Sequence, residues 1–263
     1  MSITTLYSPI FKHLLHIKLI NFKKTVMGKF IDQSIWVMCT IFVTGYIMQA
    51  MGLRTDFGSF QLAGMLASTG IFEMYGNAYS LFMDFEGDQN ISYYLTLPTT
   101  ALVVILNMIT FYAIIGVMLS LIMLPIGKLI LWNQFALAQV SWIRLIPFFT
   151  LSSILYGSVT LLFASYIKNM DMMNSLWTRI IFPAWFLGGF QFSWEMVHKV
   201  SPYVSYLLLA NPILYVIEGT RAALLGQEGY LPFWLCCCVI ALLSILFTWL
   251  SYKKMKERLD FVG

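Results

Sequence analysis

Ala101 to Gly127 reads ALVVILNMITFYAIIGVMLSLIMLPIG and holds no charged side chain. That run exceeds the ~20 apolar residues needed to cross a hydrocarbon core, so it predicts a transmembrane helix. Gln33 to Leu53, Leu145 to Ile167 and Tyr230 to Tyr252 are also charge-free and of spanning length. The whole chain agrees with them, at 59% apolar and 11% charged residues with a mean hydropathy of +0.78. Soluble domains hold roughly 45–50% apolar and about 25% charged residues, so the sequence predicts an all-α integral membrane protein.

Two further runs are interrupted. Phe57 to Phe82 carries Glu73, and Asn174 to Trp194 carries Arg179 near one end. Counting both gives six spans, at 33–53, 60–82, 101–125, 145–167, 174–194 and 230–252, in a single transmembrane domain over residues 1–263. Ser201 to Ile217 is apolar but cut by Pro202 and by Asn211-Pro212. The pieces are too short to cross, so residues 195–226 are expected to hold two short re-entrant outer helices whose free backbone groups meet protein or water.

Lysine and arginine set the orientation. An inward N-terminus puts Lys12, Lys18, Lys23, Lys24, Lys29, Lys168, Arg179, Lys253, Lys254, Lys256 and Arg258 on the cytoplasmic side. Only Arg54, Lys128, Arg144, Lys199 and Arg221 remain outside, so both termini are expected in the cytoplasm. The net charge of +4 is then a topology signal. The basic residues flank spans and form no basic domain, so no nucleic-acid partner is implied. The N-terminus does not read as a cleavable signal peptide, because lysines spread over its first thirty residues ahead of the first long apolar run.

Residues 9–30 place Lys12, His13, His16, Lys23 and Lys24 largely on one helical face, with Phe11, Leu14, Leu15, Phe22 and Val26 on the other; Lys18 and Ile20 break the pattern. An interfacial helix or a basic retention segment fits this. Between the second and third spans, Met83 to Thr100 is acidic and has no lysine or arginine. Asp84, Glu86 and Asp88 alternate there, but Gly87 is off the sixth position of a calcium loop and Leu95 stands at the twelfth, where a glutamate is required. A solvated loop and a docking surface both remain open for it.

Catalytic chemistry is thin. His13, His16 and His198 all lie outside the spans, and no H-E-x-x-H, G-x-S-x-G or P-loop pattern occurs. Cys39, Cys236, Cys237 and Cys238 read as small apolar filler, since three consecutive cysteines diverge around a helix and suit neither a metal nor mutual disulfides. No catalytic and no metal site is expected. Glu73 is the one acid well inside a span. It is either a proton or substrate site, or a hydrogen-bonded structural carboxyl near a dimer interface with Tyr75 and Asn77.

Two stretches carry a resemblance. FLGGFQFSWEMV, Phe186 to Val197, followed by NPILYVIEGTRAALLG, Asn211 to Gly226, resembles the C-terminal signature of type 2 ATP-binding-cassette (ABC) exporter permeases. NAYSLFMDFEGDQNISYYLTLP, Asn77 to Pro98, resembles that family's loop after the second span. The resemblance implies that residues 9–30 form an interface helix and residues 84–98 a coupling segment, both against a separate ATPase. Asp84, Glu86, Asp88, Tyr93, Leu95, Leu97 and Pro98 would make the coupling contacts. Gly188, Gly189, Asn211, Pro212, Tyr215, Glu218 and Arg221 would form the outer gate. Physics supports the gate: Asn211 can cap a helix that Pro212 starts, and Glu218 and Arg221, three apart, can pair.

The resulting expectation is the membrane subunit of an ABC exporter in a bacterial inner (plasma) membrane. It would move a polysaccharide, lipid or drug as a homodimer in contact with membrane lipid. ATP and magnesium would bind the partner ATPase, and this chain would hold no cofactor. Trp36, Tyr46, Tyr79, Trp185 and Phe190 are candidate pathway linings. The alternatives are a secondary carrier using Glu73 and a membrane enzyme acting on lipid.

Overall fold

The computed structural model describes residues 3–87 and 99–260, with side chains from 9 to 257, and the described residues form helices without strands. α1 (Ile3–Phe42) continues through a π-helical turn, Val43–Ile47, into Met48–Ala50. α2 is Phe57–Glu86, α3 Ala101–Leu131 and α4 Trp142–Tyr166. α5 starts at Met170–Leu176 and runs on through Trp177–Ile181, Phe182–Trp185 and Phe186–Phe190, two of these stretches being π-helical. Three short helices follow, α6 (Trp194–Val200), α7 (Pro202–Leu208) and α8 (Pro212–Leu224), before α9 (Phe233–Asp260).

Four helical stretches are long and apolar enough to cross a membrane: Pro9–Ala50, Ala101–Gln134, Trp142–Tyr166 and Phe233–Glu257. They correspond to the four uninterrupted runs of the sequence. α7 and α8 meet at 98° and add a fifth if they count as one span. α2 is 30 residues long but more polar, burying Ser59, Gln61, Ser68, Thr69 and Glu73.

The chain departs from expectation at its start. Residues 9–30 and 33–53 do not form separate helices, because α1 runs unbroken through Lys29 to Gln33, where no proline or glycine stops it. Its 40 residues extend about 60 Å at 1.5 Å per residue, twice a hydrocarbon core. α6 is likewise additional to the two short outer helices expected. Ser193 caps it by accepting from the Met196 amide, and the break at Ser201-Pro202 separates it from α7.

α2 lies inside the bundle, packed against α1, α3, α4 and α8. Small residues permit the close approaches that drive helix association in lipid. A Cβ at Gly58 would fall 2.9 Å from the Gly45 Cα, so α1 and α2 meet backbone to backbone there. Met255 of α9 clusters with Leu81 of α2, Val104 of α3 and Leu161 of α4, and Lys254 sits 5.4 Å from the Tyr166 ring. These contacts gather the end of α2, the start of α3, the α4–α5 turn and the tail of α9 at one end of the bundle. At the other end Gln49 bonds Gln134 at 3.0 Å, Arg144 lies 5.7 Å from the Phe233 ring and Phe60 stacks on Tyr230.

Candidate functional site

At that second end, α8 begins as its sequence dictates. The Asn211 side chain accepts from the Ile213 amide at 3.0 Å, and Pro212 occupies the first turn, where its missing N–H costs nothing. The Asn211 amide also donates to the Ala184 carbonyl at 2.6 Å, tying the cap to α5. Tyr215 donates to the Leu209 carbonyl at 2.9 Å and braces the bend from inside. α5 ends where Gly189 adopts φ +89°, a left-handed conformation that glycine enters without steric cost. Gly188 lets Ile213 approach, since a Cβ there would meet the Ile213 side chain at 2.7 Å.

Ending α5 this way leaves carbonyls without helical partners. Arg221 supplies donors, with Nη1 to the Phe192 carbonyl at 2.8 Å and Nη2 to the Phe190 carbonyl at 3.1 Å. Glu218 accepts from the Trp194 amide at 3.3 Å through Oε1 and from the Leu231 amide at 3.0 Å through Oε2. The two side chains face each other at 3.4 Å, and neither is exposed at all. Arg221 also lies 3.6 Å from the centre of the Phe60 ring, a cation–π contact from α2. One carboxylate and one guanidinium thus fasten the end of α5, the start of α6, the segment before α9 and the top of α2. A buried charge is tolerated only when partnered in this way.

This clasp joins the two stretches quoted from the sequence, Leu-Gly-Gly and Asn-Pro through Glu and Arg. The family model for ABC-2 type transporters matches residues 9–225. The chain belongs to the ABC-2 type transporter family. The inner membrane transport permease YadH of Escherichia coli K12 is 26% identical over 168 residues, covering 64% of this chain and 62% of the relative. The same permease from Escherichia coli O157:H7 and from Shigella flexneri matches equally. The match therefore spans less than two thirds of the relatives' own length.

Membership places the chain among membrane transport proteins. No group of three or more histidine, cysteine, aspartate or glutamate side chains among the described residues could hold a metal ion.

The other residues singled out in this ABC-2 chain distribute as follows. Asp84 and Glu86 occupy the last turn of α2, while Asp88, Tyr93, Leu95, Leu97 and Pro98 lie outside the described residues. Trp36, Trp185 and Phe190 come together: Trp36 stacks on Phe190 with centroids 6.3 Å apart, and Trp185 lies 4.4 Å from Phe190. Phe72 of α2 joins them, and the Trp185 indole donates to Ser68 at 2.8 Å. Tyr46 and Tyr79 sit apart on the surface.

Glu73 is buried and forms an ion pair with Lys29 of α1, near a crevice lined by Asn77, Tyr112 and Tyr156. The sequence counts Lys29 only among the charges of the cytoplasmic side, and nothing in it points to Glu73 as a partner. Lys18, which broke that face, donates to Asn107 of α3 at 3.1 Å, and Asn107 donates to the Phe11 carbonyl at 2.8 Å. The irregularity in the pattern was the available signal.

Proposed function

We propose that the chain is the transmembrane subunit of an ATP-driven exporter, moving an amphipathic or lipid-linked substrate of the polysaccharide, lipid or drug kind out across a bacterial inner membrane. The family match over residues 9–225 carries this reading. Relatives named as inner membrane transport permeases support the location. The chain lacks a P-loop motif, so the energy enters from separate ATPase subunits that bind ATP and magnesium.

In this reading the chain crosses six times. Phe57–Glu86 and the run from Met170 to Phe190 are the two more polar passes, and both termini face the cytoplasm. Residues 195–226 fold back at the outer face as the gate. Two copies meet through the apolar face of α1 at Ile35, Met38 and Phe42 and that of α5 at Phe182, Phe186 and Leu187, all exposed in the single chain.

The ATPases grip residues 84–98 and the cytoplasmic part of α1. α2 then links machine and gate: one end leads into the coupling segment, and the other carries Phe60 against Arg221. A push on the coupling segment reaches the clasp through a single helix, and separation of the two copies opens the path beneath it.

The test is purification of the tagged full chain from its native cell in mild detergent, with identification of companions and an assay of ATP hydrolysis. A stoichiometric P-loop protein with hydrolysis supports the reading. A chain that emerges alone and inert from several detergents refutes it.

A further inference from the structure

The flank of the bundle between α4 and α5 holds an open groove of ≈ 940 Å³ that has no part in the clasp or in the coupling segment. Leu162, Phe163, Ile167 and Leu176 make it apolar, and the exposed Tyr166 and Arg179 line it as well. Arg179 is exposed and has no hydrogen-bond or ion-pair partner among the described residues.

The depth of that arginine is what requires a partner. Tyr166 and Trp249 are exposed aromatics with Lys254 and Lys253 over their rings, at 5.4 and 5.8 Å. Such aromatic and basic pairs mark the level of the membrane–water interface. Arg179 lies nine residues beyond the start of α5 at Met170, about 14 Å along the helix at 1.5 Å per residue. That distance carries its backbone below the interface, where an unpaired guanidinium is costly; its stem must lie along apolar surface while its head reaches back toward the headgroups.

A second groove offers a contrast. Between α3, α4 and α9, ≈ 980 Å³ is lined by residues such as Leu106, Ile114 and Val117 with no charge among them. Its polar lining is already satisfied: Thr110 and Thr150 donate to carbonyls of their own helices, and Thr248 bonds Ser158. That groove can take a hydrocarbon chain but has no means of choosing a headgroup.

We propose that the α4–α5 groove binds an anionic glycerophospholipid from the leaflet on the side of the chain termini. Its phosphate sits on Arg179 and one acyl chain runs along Leu162, Phe163, Ile167 and Leu176. A guanidinium and a phosphate make paired charge-assisted hydrogen bonds. Lys168, which follows Ile167, adds a positive charge beside this end of the groove, while Lys254 beside Tyr166 is already paired with Glu257, so the guanidinium of Arg179 is the group that selects an anionic headgroup. The proposal rests only on the chain lying in a membrane and is independent of the ATPase.

To test it, the full chain is placed in nanodiscs of equal phosphatidylglycerol and phosphatidylcholine and re-extracted in mild detergent, and the retained lipid is read by native mass spectrometry. Phosphatidylglycerol should be enriched several-fold, Arg179→Gln should return the ratio to that of the nanodisc, and Arg179→Lys should keep part of the enrichment. A phosphatidylglycerol with a photoactivatable acyl chain gives a second measurement on the unaltered protein. Its cross-links should concentrate on residues 162–180 over the uncharged groove. Retained lipid that mirrors the mixture, an Arg179→Gln variant that keeps the enrichment, or cross-links divided equally between the grooves would each overturn the assignment.

Discussion

Arg221 and Glu218 are fully buried one helical turn apart, yet their mutual contact at 3.4 Å is longer than the 2.8 Å bond from Arg221 to the Phe192 carbonyl. The pair is therefore a device for holding backbone, and each charge makes the other tolerable. Removing one partner leaves an uncompensated buried charge and opens the contacts to α5. Arg221→Ala should destabilise the chain by about 3–5 kcal/mol, the range for breaking a buried pair. Thermal unfolding in detergent checks this, and a loss within about 1 kcal/mol, the scale of an exposed pair, would remove the clasp from the account. Arg221→Lys should fall between, since a lysine keeps the charge but cannot fork to two carbonyls.

Asn211 performs two tasks that substitution can separate. Asn211→Asp retains the acceptor that caps α8 but loses the donor to Ala184; Asn211→Ala loses both. Alanine should cost about 1–2 kcal/mol by the usual worth of a cap and a hydrogen bond. The melting temperature should fall in the order wild type, aspartate, alanine. Equal melting of aspartate and wild type would mean that the Ala184 bond contributes nothing.

Gly219 faces Phe148 so closely that a Cβ would lie 2.2 Å from the ring. Gly219→Ala should destabilise by about 1–3 kcal/mol through overpacking of α8 against α4. Phe148→Leu should recover part of that loss in the double variant, and strictly additive effects on unfolding would show that the two sites do not touch.

The clasp was half legible in the sequence. Asn211-Pro212 announces a helix start, and Glu218 and Arg221 stand at the spacing that faces them together, so the side chains could be named. Their partners could not, because the carbonyls of Phe190 and Phe192 and the amides of Trp194 and Leu231 belong to backbone that every residue carries and only tertiary packing selects. Phe60 was hidden for the same reason. The charge-free runs fixed four helices, but a basic amphipathic face followed by an apolar run gave no sign that α1 continues through both. Lys18 stands out by breaking the basic face, but nothing local names Asn107 as its partner, and Lys29 counts only as a cytoplasmic charge with nothing to reveal Glu73 opposite it.

The coupling segment makes a functional prediction. Leu95→Asp with Leu97→Asp should leave insertion intact and ATP hydrolysis by the reconstituted complex running, while transport falls at least tenfold. Transport at the wild-type rate would take the coupling role away from residues 84–98.

Glu73 separates two transport mechanisms. Its ion pair with Lys29 joins α2 to α1, with Lys29 half-buried and Glu73 nearly enclosed. A carboxylate occupied in this way is a structural partner, so Glu73→Gln should preserve ATP-driven transport while lowering stability. A double-mutant cycle with Lys29→Met should return a coupling of about 0.5–3 kcal/mol, as for residues in direct contact. A proton-driven carrier predicts the opposite pattern, with transport abolished by Glu73→Gln and uptake or efflux following an imposed pH gradient in vesicles without ATP. The vesicle assay decides, since loss of stability alone lowers transport and ATP response together whereas loss of a proton site leaves any ATP response untouched.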